Sequence, residues 1–208
     1  MMKITDFVPF IAADIPDCPP FIAERAAIES VIEFCKKSWV LNAMIDPEDV
    51  EQDEPLYKFQ APSNKPMCGI LEANFNEEPL DFYSSKEMDR RKTKWRRTKG
   101  TPVEAVKEGL DSIRLYPVPD MDYPESLQVR VAYSPRMTDT VVDDIFSSHY
   151  FKAITDGATA RLLLQQQKPW FNPSLVLPYR MNFENELYSA RNLVMRDIYQ
   201  RRPPVPQL

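Results

Sequence analysis

The chain has 208 residues, a formal net charge of −5 and 43% hydrophobic residues. This length allows one large domain with a buried core, and the apolar fraction is that of an ordinary globular protein, which excludes wholesale disorder. The sequence has 20 prolines but only 4 glycines. No glycine-rich phosphate loop of the dinucleotide or P-loop type can be written from so few glycines. The acidic net charge argues against a general nucleic-acid binder.

The cysteines and the hydropathy of the chain bear on its compartment. Cys18, Cys35 and Cys68 are an odd number at wide spacings, which favours neither a disulfide framework nor a zinc site and suits a reducing compartment. The first residues lack the apolar run of a signal peptide, and no stretch approaches the roughly 20 apolar residues that cross a bilayer. We therefore expect a soluble protein that is made in the cytoplasm, with no membrane partner.

The N-terminal quarter predicts an arm followed by a helix. Prolines punctuate residues 1–19, which we expect to be an extended arm lying along a surface of its own subunit or of a neighbouring one. Residues 20–39 predict an amphipathic helix, because its apolar residues recur on one face. That face comprises Ile28, Val31, Ile32, Cys35 and Trp39.

The middle of the chain predicts strands at 40–44, 56–59 and 70–75, with two oppositely charged runs between and after them. The acidic run comprises Asp46, Glu48, Asp49, Glu51, Asp53 and Glu54. The basic segment comprises Arg90, Arg91, Lys92, Lys94, Trp95, Arg96, Arg97 and Lys99. Three interpretations of the basic segment stay open: a solvated loop, pairing with the acidic run within or between subunits, and contact with a nucleic-acid backbone.

Two further stretches alternate between apolar and polar residues. They lie at 112–117 and 127–133, on either side of a turn rich in proline and acid. This pattern predicts an antiparallel β-hairpin with one solvated face.

The stretch 143–199 predicts two amphipathic helices that pack antiparallel. Apolar residues recur every four residues along the first helix and at steps of four and three along the second. The first stripe is Phe146, Tyr150, Ile154, Ala158 and Leu162, and the second is Tyr179, Phe183, Leu187, Ala190, Val194 and Ile198. Pro178 predicts a kink before the main part of the second helix, which should begin at Tyr179. The small residues Gly157 to Ala160 predict a close approach between helices.

No catalytic constellation emerges from the sequence. His149 is the one histidine, and it has no Cys or His at metal-ligand spacing and no Gly-x-Ser-x-Gly serine. Carboxylates are abundant, but no converging pair can be chosen among them. We expect no enzyme activity, no cofactor and no metal site.

These patterns predict an α+β fold. An N-terminal amphipathic helix and a C-terminal antiparallel helix pair should form a small bundle around a central antiparallel β part. The expected organisation is an extended arm at 1–19, a single domain at 20–199 and an extended tail at 200–208. The domain would be helical at 20–39 and 143–199, with a β-rich insertion at 40–142.

The order of these predicted helices and strands is similar to that of a known protein family. The helix at 26–35 comes first, followed by strands at 113–120 and 127–135. The helical segments 154–163 and 183–191 come next, with Lys168-Pro169-Trp170 between them. Over residues 20–40 and 112–195, roughly half of the chain, the sequence resembles the head-to-tail connector (adaptor) proteins of tailed bacteriophages, including the tail-tubular gatekeeper-like adaptors. The resemblance does not extend to the charged middle, residues 46–100, which can be assigned to no family.

The resemblance implies a virion structural protein at the neck between head and tail. Such a protein assembles as a homo-oligomeric ring, usually of twelve copies, below the portal protein. It contacts tail or neck proteins, and double-stranded DNA passes through its channel without sequence-specific contact. The resemblance also implies a C-terminal tail that docks on the portal, here Arg201, Arg202, Pro203, Pro204, Val205, Pro206, Gln207 and Leu208.

Two other functions compete with the connector hypothesis. A nucleic-acid-binding protein acting through residues 90–99 would bind DNA with a steep dependence on salt. An enzyme with an unrecognised acidic site would show metal-dependent activity that is lost when a carboxylate pair is mutated. Within the connector hypothesis, the acidic run and the basic segment could supply the two unlike faces of a ring interface.

Overall fold

The computed structural model describes residues 1–200, with side chains through Ile198. The helices are α1 (Val8–Asp14), α2 (Pro20–Ser38), α3 (Ser85–Arg91), α4 (Ile145–Ser148), α5 (Phe151–Leu163) and α6 (Val176–Gln200). The strands are β1 (Met2–Lys3), β2 (Asn42–Met44), β3 (Glu48–Val50), β4 (Leu56–Lys58), β5 (Met67–Phe75), β6 (Glu78–Pro79), β7 (Asp81–Tyr83), β8 (Glu104–Lys107), β9 (Ser112–Tyr116), β10 (Tyr123–Tyr133) and β11 (Val141–Val142). The fold is α+β, as the sequence predicts.

The chain divides into two compact units. The helical unit comprises residues 1–40 and 134–196, and the β unit comprises residues 41–133 together with the end of α6 from Asp197. The β unit is thus inserted between α2 and the C-terminal helices. The tail is predicted at 200–208; Gln200 is the last residue of α6, and residues 201–208 lie outside the described part of the chain.

The N-terminal segment is helical, and the prediction of an extended arm at 1–19 is wrong. A 3₁₀ turn at Ile4–Phe7 leads directly into α1. Pro9 does not prevent this, because it lies in the first turn of α1, where its missing N–H would have had no acceptor. Phe7, Ile11 and Ile15 are spaced by four and are almost fully buried. They lie in the helical unit, where α1 contacts α2 and α5.

Helix α2 matches the predicted helix within one residue. Its buried face includes Ile28, Val31 and Cys35, and the Cys35 thiol is fully buried. The helix ends at Trp39, whose backbone is left-handed with φ of 60° and whose N–H donates to the carbonyl of Cys35. This is a helix C-terminus made without glycine.

The predicted C-terminal helix pair is present, with different bounds. The first helix is broken at His149 into α4 and α5, and it ends at Leu163. The second begins at Val176, before Pro178, because a proline in the first turn costs no intrahelical hydrogen bond. Both predicted stripes are inward-facing, with every member buried or half-buried.

Helix α2 completes the packing of the helical unit. It contacts α5 extensively, and its Phe34 ring lies 5.8 Å from the ring of Phe183 on α6. Arg161 on α5 and Arg180 on α6 both bind Glu33. A second contact joins Gly157 to Phe183. Gly157 lies one turn before Arg161 on α5, whereas Phe183 lies nearly one turn after Arg180 on α6. This order of contacts makes α5 and α6 antiparallel, as predicted.

The β unit contains two sheets that share one core. One sheet has the order β2-β10-β5-β6, with β3 also paired to β10, and the other has the order β4-β9-β8-β7. All pairs are antiparallel except β7 with β8. Side chains from both sheets form the core, including Phe59, Phe75, Leu115, Leu127 and Val129.

The predicted hairpin of 112–117 with 127–133 is wrong, although both stretches are strands. β9 pairs with β4 and β8, whereas β10 belongs to the other sheet and pairs with β5, β2 and β3. Pro117 and Pro119, between the two strands, have no backbone N–H to donate to a ladder. The alternation correctly identifies the strands, but their partners come from distant parts of the chain.

Candidate interaction surfaces

The aromatic residue of the basic segment is part of the protein interior. Trp95 is 2% exposed and lies in a small cluster with Met88, Val106 and Tyr116. Its indole Nε1 donates to Asp89 Oδ1 at 2.8 Å. A base cannot stack on a ring that is covered in this way, so the structure contradicts an interpretation of Trp95 as a stacking platform.

Several cations of the basic segment are paired within the chain. Arg96 Nη1 lies 2.6 Å from Asp89 Oδ1, and Lys92 Nζ lies 2.8 Å from Glu104 Oε2. Arg91 Nη2 is 3.7 Å from Glu104 Oε1, and the Arg91 guanidinium stacks 4.0 Å from the centre of the Tyr83 ring. The hydrogen bonds from Arg96 and Trp95 lower the pKa of Asp89.

One pair joins the basic segment to the acidic run. Lys99 Nζ lies 2.5 Å from Asp53 Oδ1, with both side chains more than half exposed. The two runs therefore meet within one subunit at this point. Arg90, Lys94 and Arg97 are exposed and form no salt bridge with a carboxylate in residues 1–200.

The acidic run is enlarged by a second acidic stretch. The backbone N–H of Gln52 donates to Asp122, and that of Glu125 donates to Asp49, each at 2.7 Å. We call the exposed carboxylates gathered here the acidic end. It comprises Asp46, Asp49, Glu51, Asp53, Glu54, Asp120, Asp122 and Glu125. The sequence shows the two stretches separately, and only the pairing of β3 with β10 brings them together.

The helical unit contains a charged network that the sequence analysis did not identify. Glu33 of α2 accepts hydrogen bonds from Arg161 of α5, from Arg180 of α6 at 2.9 Å and from Lys37 at 2.6 Å. Burial alone would raise the pKa of Glu33, but the hydrogen bonds from Arg180 and Lys37 and the charge of Arg161 outweigh it and lower the pKa to about 2. Glu33 stands on the polar face of α2 in the sequence, and nothing there reveals its distant partners.

A cleft of about 510 Å³ lies between the N-terminal half of α2 and the end of α5. We call it the cationic cleft. It is lined by Phe21, Ile22, Arg25, Ala26, Glu29, Arg161, Gln165 and Lys168. Arg25 Nε binds Glu29 at 3.0 Å, and Arg161 Nη1 lies 3.7 Å from the same carboxylate. The lining therefore carries three cations against one carboxylate.

Helix α6 carries apolar side chains on two sides. Phe183, Leu187 and Ala190 are buried, whereas Leu177, Met181 and Tyr188 are 66%, 53% and 60% exposed. At 100° per residue the three exposed side chains lie within about 40° of one another and roughly 125° from the buried face. We call these three residues the α6 stripe.

The structure also bears on the other sites considered from the sequence. His149 is exposed at the end of α4, and its Nδ1 lies 2.6 Å from the Oγ of Ser148. The predicted portal-docking residues 201–208 lie outside the described part of the chain. Among the residues that are described, no group of three His, Cys, Asp or Glu side chains could hold a metal ion. Within that same part, no helix is both long and apolar enough to cross a membrane.

No model of a known protein family matches the chain, and no curated protein matches it either.

Proposed function

We propose that this protein is a virion structural component, a head-to-tail connector that assembles as a ring under the portal and forms part of the DNA channel. The proposal starts from the resemblance described above. The observation that carries it in the structure is the α6 stripe, because three large apolar side chains exposed on one helix face favour burial against another protein chain.

The stripe suits a subunit contact better than an internal role. α6 already packs its other face on Phe34 of α2 and on Gly157 of α5. A helix that is apolar on two sides has a second set of neighbours to contact. In a closed ring each subunit offers two different surfaces, so one apolar helix face can meet a different face of the next copy.

The mass of the assembled particle tests the proposal. Light scattering of the protein mixed with portal should give a particle containing several 24.2 kDa subunits, and the protein alone shows whether the ring forms without that template. Met181→Glu and Tyr188→Glu should each reduce assembly strongly while the thermal unfolding of the subunit stays unchanged. Leu193→Glu is the matched control, because Leu193 is a 56% exposed leucine on α6 about 140° from the stripe.

Two results would reject the connector function. One is the absence of any complex in the mixture with portal. The other is an imaged virion without this protein at the neck. A monomer in the absence of portal is compatible with assembly that the portal templates.

A nucleic-acid-binding function is the alternative, and one observation favours it. Arg90, Lys94 and Arg97 are exposed cations within eight residues, without a salt bridge in residues 1–200. Such side chains could contact phosphates. The free monomer would then bind duplex DNA with an affinity that falls as salt rises, and Arg90→Glu with Arg97→Glu would abolish the binding. Salt-independent or undetectable binding would reject this alternative.

A further inference from the structure

The cationic cleft has the features of a docking site for an acidic protein surface. Arg25 is 75% exposed, and Lys168 is exposed on the opposite rim. The cleft also has an apolar part, because Ala26 is buried in its floor and Phe21 is 70% exposed at its edge. Cations around an apolar patch suit a partner that offers carboxylates together with an apolar side chain.

The acidic end of the β unit supplies that combination. It has eight exposed carboxylates, and one of them, Asp53, forms a salt bridge with Lys99. Met121 lies within it and is 56% exposed. Asp46 and Glu51 accept no side-chain hydrogen bond within residues 1–200, so their charge is available to a partner.

A nucleic-acid backbone fits the cleft less well than this protein surface. Glu29 stands inside the cleft, where it is held by Arg25 and Arg161, and its charge repels carboxylates as well as phosphates, so an anionic partner has to place its charges on the rim cations and away from Glu29. The floor contributed by Ala26 and the Phe21 edge offer a phosphodiester chain nothing to bind. A folded surface with separated carboxylates can place them on the cations and its apolar side chain on the floor.

We propose that the cationic cleft of one copy binds the acidic end of the next copy. The inference rests on the proposed function, since it names two unlike surfaces of the ring interface. It differs from the sequence-based hypothesis that the acidic run meets the basic segment of a neighbour. The Lys99–Asp53 pair holds those two runs together within one subunit, so they do not form opposite faces there.

Charge reversal on each surface, separately and together, tests the contact. One variant carries Arg25→Glu and Lys168→Glu, the second carries Asp46→Lys and Glu51→Lys, and the third carries all four changes. Lys3→Glu with Lys86→Glu is the control, because both lysines are exposed and lie outside the two surfaces. Sedimentation velocity at about 50 mM and about 300 mM salt measures self-association, and circular dichroism verifies folding.

We expect each two-residue variant to weaken self-association at low salt by roughly tenfold to a hundredfold, because like charges then face each other. The four-residue variant should regain most of the wild-type association, and the control should match the wild type. Higher salt should weaken the wild-type and four-residue complexes, and it should narrow their difference from the two-residue variants, because salt screens attraction and repulsion alike.

Three results would overturn the inference. In the first, the wild type assembles and both two-residue variants assemble equally well. The protein then forms a ring, but its subunit interface lies elsewhere. In the second, the wild type stays monomeric at low salt and the cleft variant joins the portal complex in the same copy number as the wild type; the contact then does not form, and binding to the portal judges the connector function separately. In the third, the cleft variant loses binding to a labelled DNA duplex with unchanged self-association, which makes the cleft a phosphate site.

Discussion

The ring of Phe183 lies directly against the backbone of Gly157, where α6 contacts α5. A Cβ on Gly157 would stand 2.5 Å from Cδ2 and 2.8 Å from Cε2 of that ring. Phe183 is fully buried and is held on its other side by Phe34. The predicted small-residue patch at 157–160 is therefore a point of close contact between helices.

We predict that Gly157→Ala destabilises the protein, although the same change normally stabilises a helix interior by about 1 kcal/mol. The added methyl group overlaps a ring that cannot move freely, so the free energy of unfolding should fall by about 1–3 kcal/mol. Urea unfolding measures the change. Phe183→Leu removes the ring that the added methyl group meets. Gly157→Ala should therefore cost less free energy of unfolding in the Phe183→Leu background than in the wild type. A Gly157→Ala protein as stable as the wild type would contradict the packing.

The depressed pKa of Glu33 predicts a specific loss of stability in acid. An unperturbed glutamate has a pKa of 4.5, whereas the pKa of Glu33 in the folded protein is about 2. A carboxylate whose pKa is lower when folded stabilises the fold above its unfolded pKa, and this contribution disappears as pH falls from about 4.5 to about 2. Unfolding free energies measured between pH 7 and pH 2 should show the loss.

Glu33→Gln isolates that contribution. At pH 7 the variant should be less stable than the wild type by roughly 2 kcal/mol, because Arg161 and Arg180 lose their shared carboxylate. The difference between the two proteins should shrink as the pH falls from about 4.5 to about 2. Glu186→Gln, at an exposed position of α6, is the control. A difference that is constant with pH would argue against the network.

The burial of Trp95 predicts that it does not sense DNA. In a background with Trp39→Phe and Trp170→Phe, Trp95 is the remaining one of the 3 tryptophans. Its emission should be blue-shifted and weakly quenched by acrylamide, and duplex DNA should leave it unchanged. Trp95→Ala should lower the free energy of unfolding by about 3–5 kcal/mol, because it empties a packed cluster. Strong quenching by DNA would instead support a stacking role.

The sequence predicts those features that depend on local periodicity. The stripes of α2, α5 and α6 are buried or half-buried where the period places them, and strands occur near 42, 56 and 70. The expectation that proline interrupts a helix fails at both Pro9 and Pro178. Each lies in the first turn of a helix, where the helix tolerates it.

The long-range features could not be predicted in the same way. The alternation at 112–117 and 127–133 identifies strands, but their different sheets depend on partners such as β4 and β5. Trp95 stands among cations in the sequence, and only the fold shows that its ring faces Met88 and Tyr116. The two arginine partners of Glu33, Arg161 and Arg180, are more than 100 residues away along the chain. No local pattern carries that information.

The last prediction concerns a buried ion pair in the β unit. Arg130 on β10 and Glu72 on β5 are directly opposite in the ladder, with Nε 3.1 Å from Oε2. The side chains are only 12% and 7% exposed, and Asn42 Oδ1 accepts a further hydrogen bond from Arg130 at 3.2 Å. Glu72→Ala should lower the free energy of unfolding by about 3–5 kcal/mol, because it leaves a buried guanidinium without its counter-charge.

Replacement of both partners should cost far less than removal of one. Glu72→Leu with Arg130→Met should lie within about 2 kcal/mol of the wild type, because no buried charge remains to be desolvated. The exposed pair of Lys58 with Asp111, at 3.3 Å, is the control, and Asp111→Asn should change stability by less than about 1 kcal/mol. Urea unfolding of the single and double variants at low and high salt separates the two cases, since added salt screens an exposed pair more than a buried one. A double variant as unstable as Glu72→Ala would show that Arg130 and Glu72 hold the sheet by contacts other than their charges.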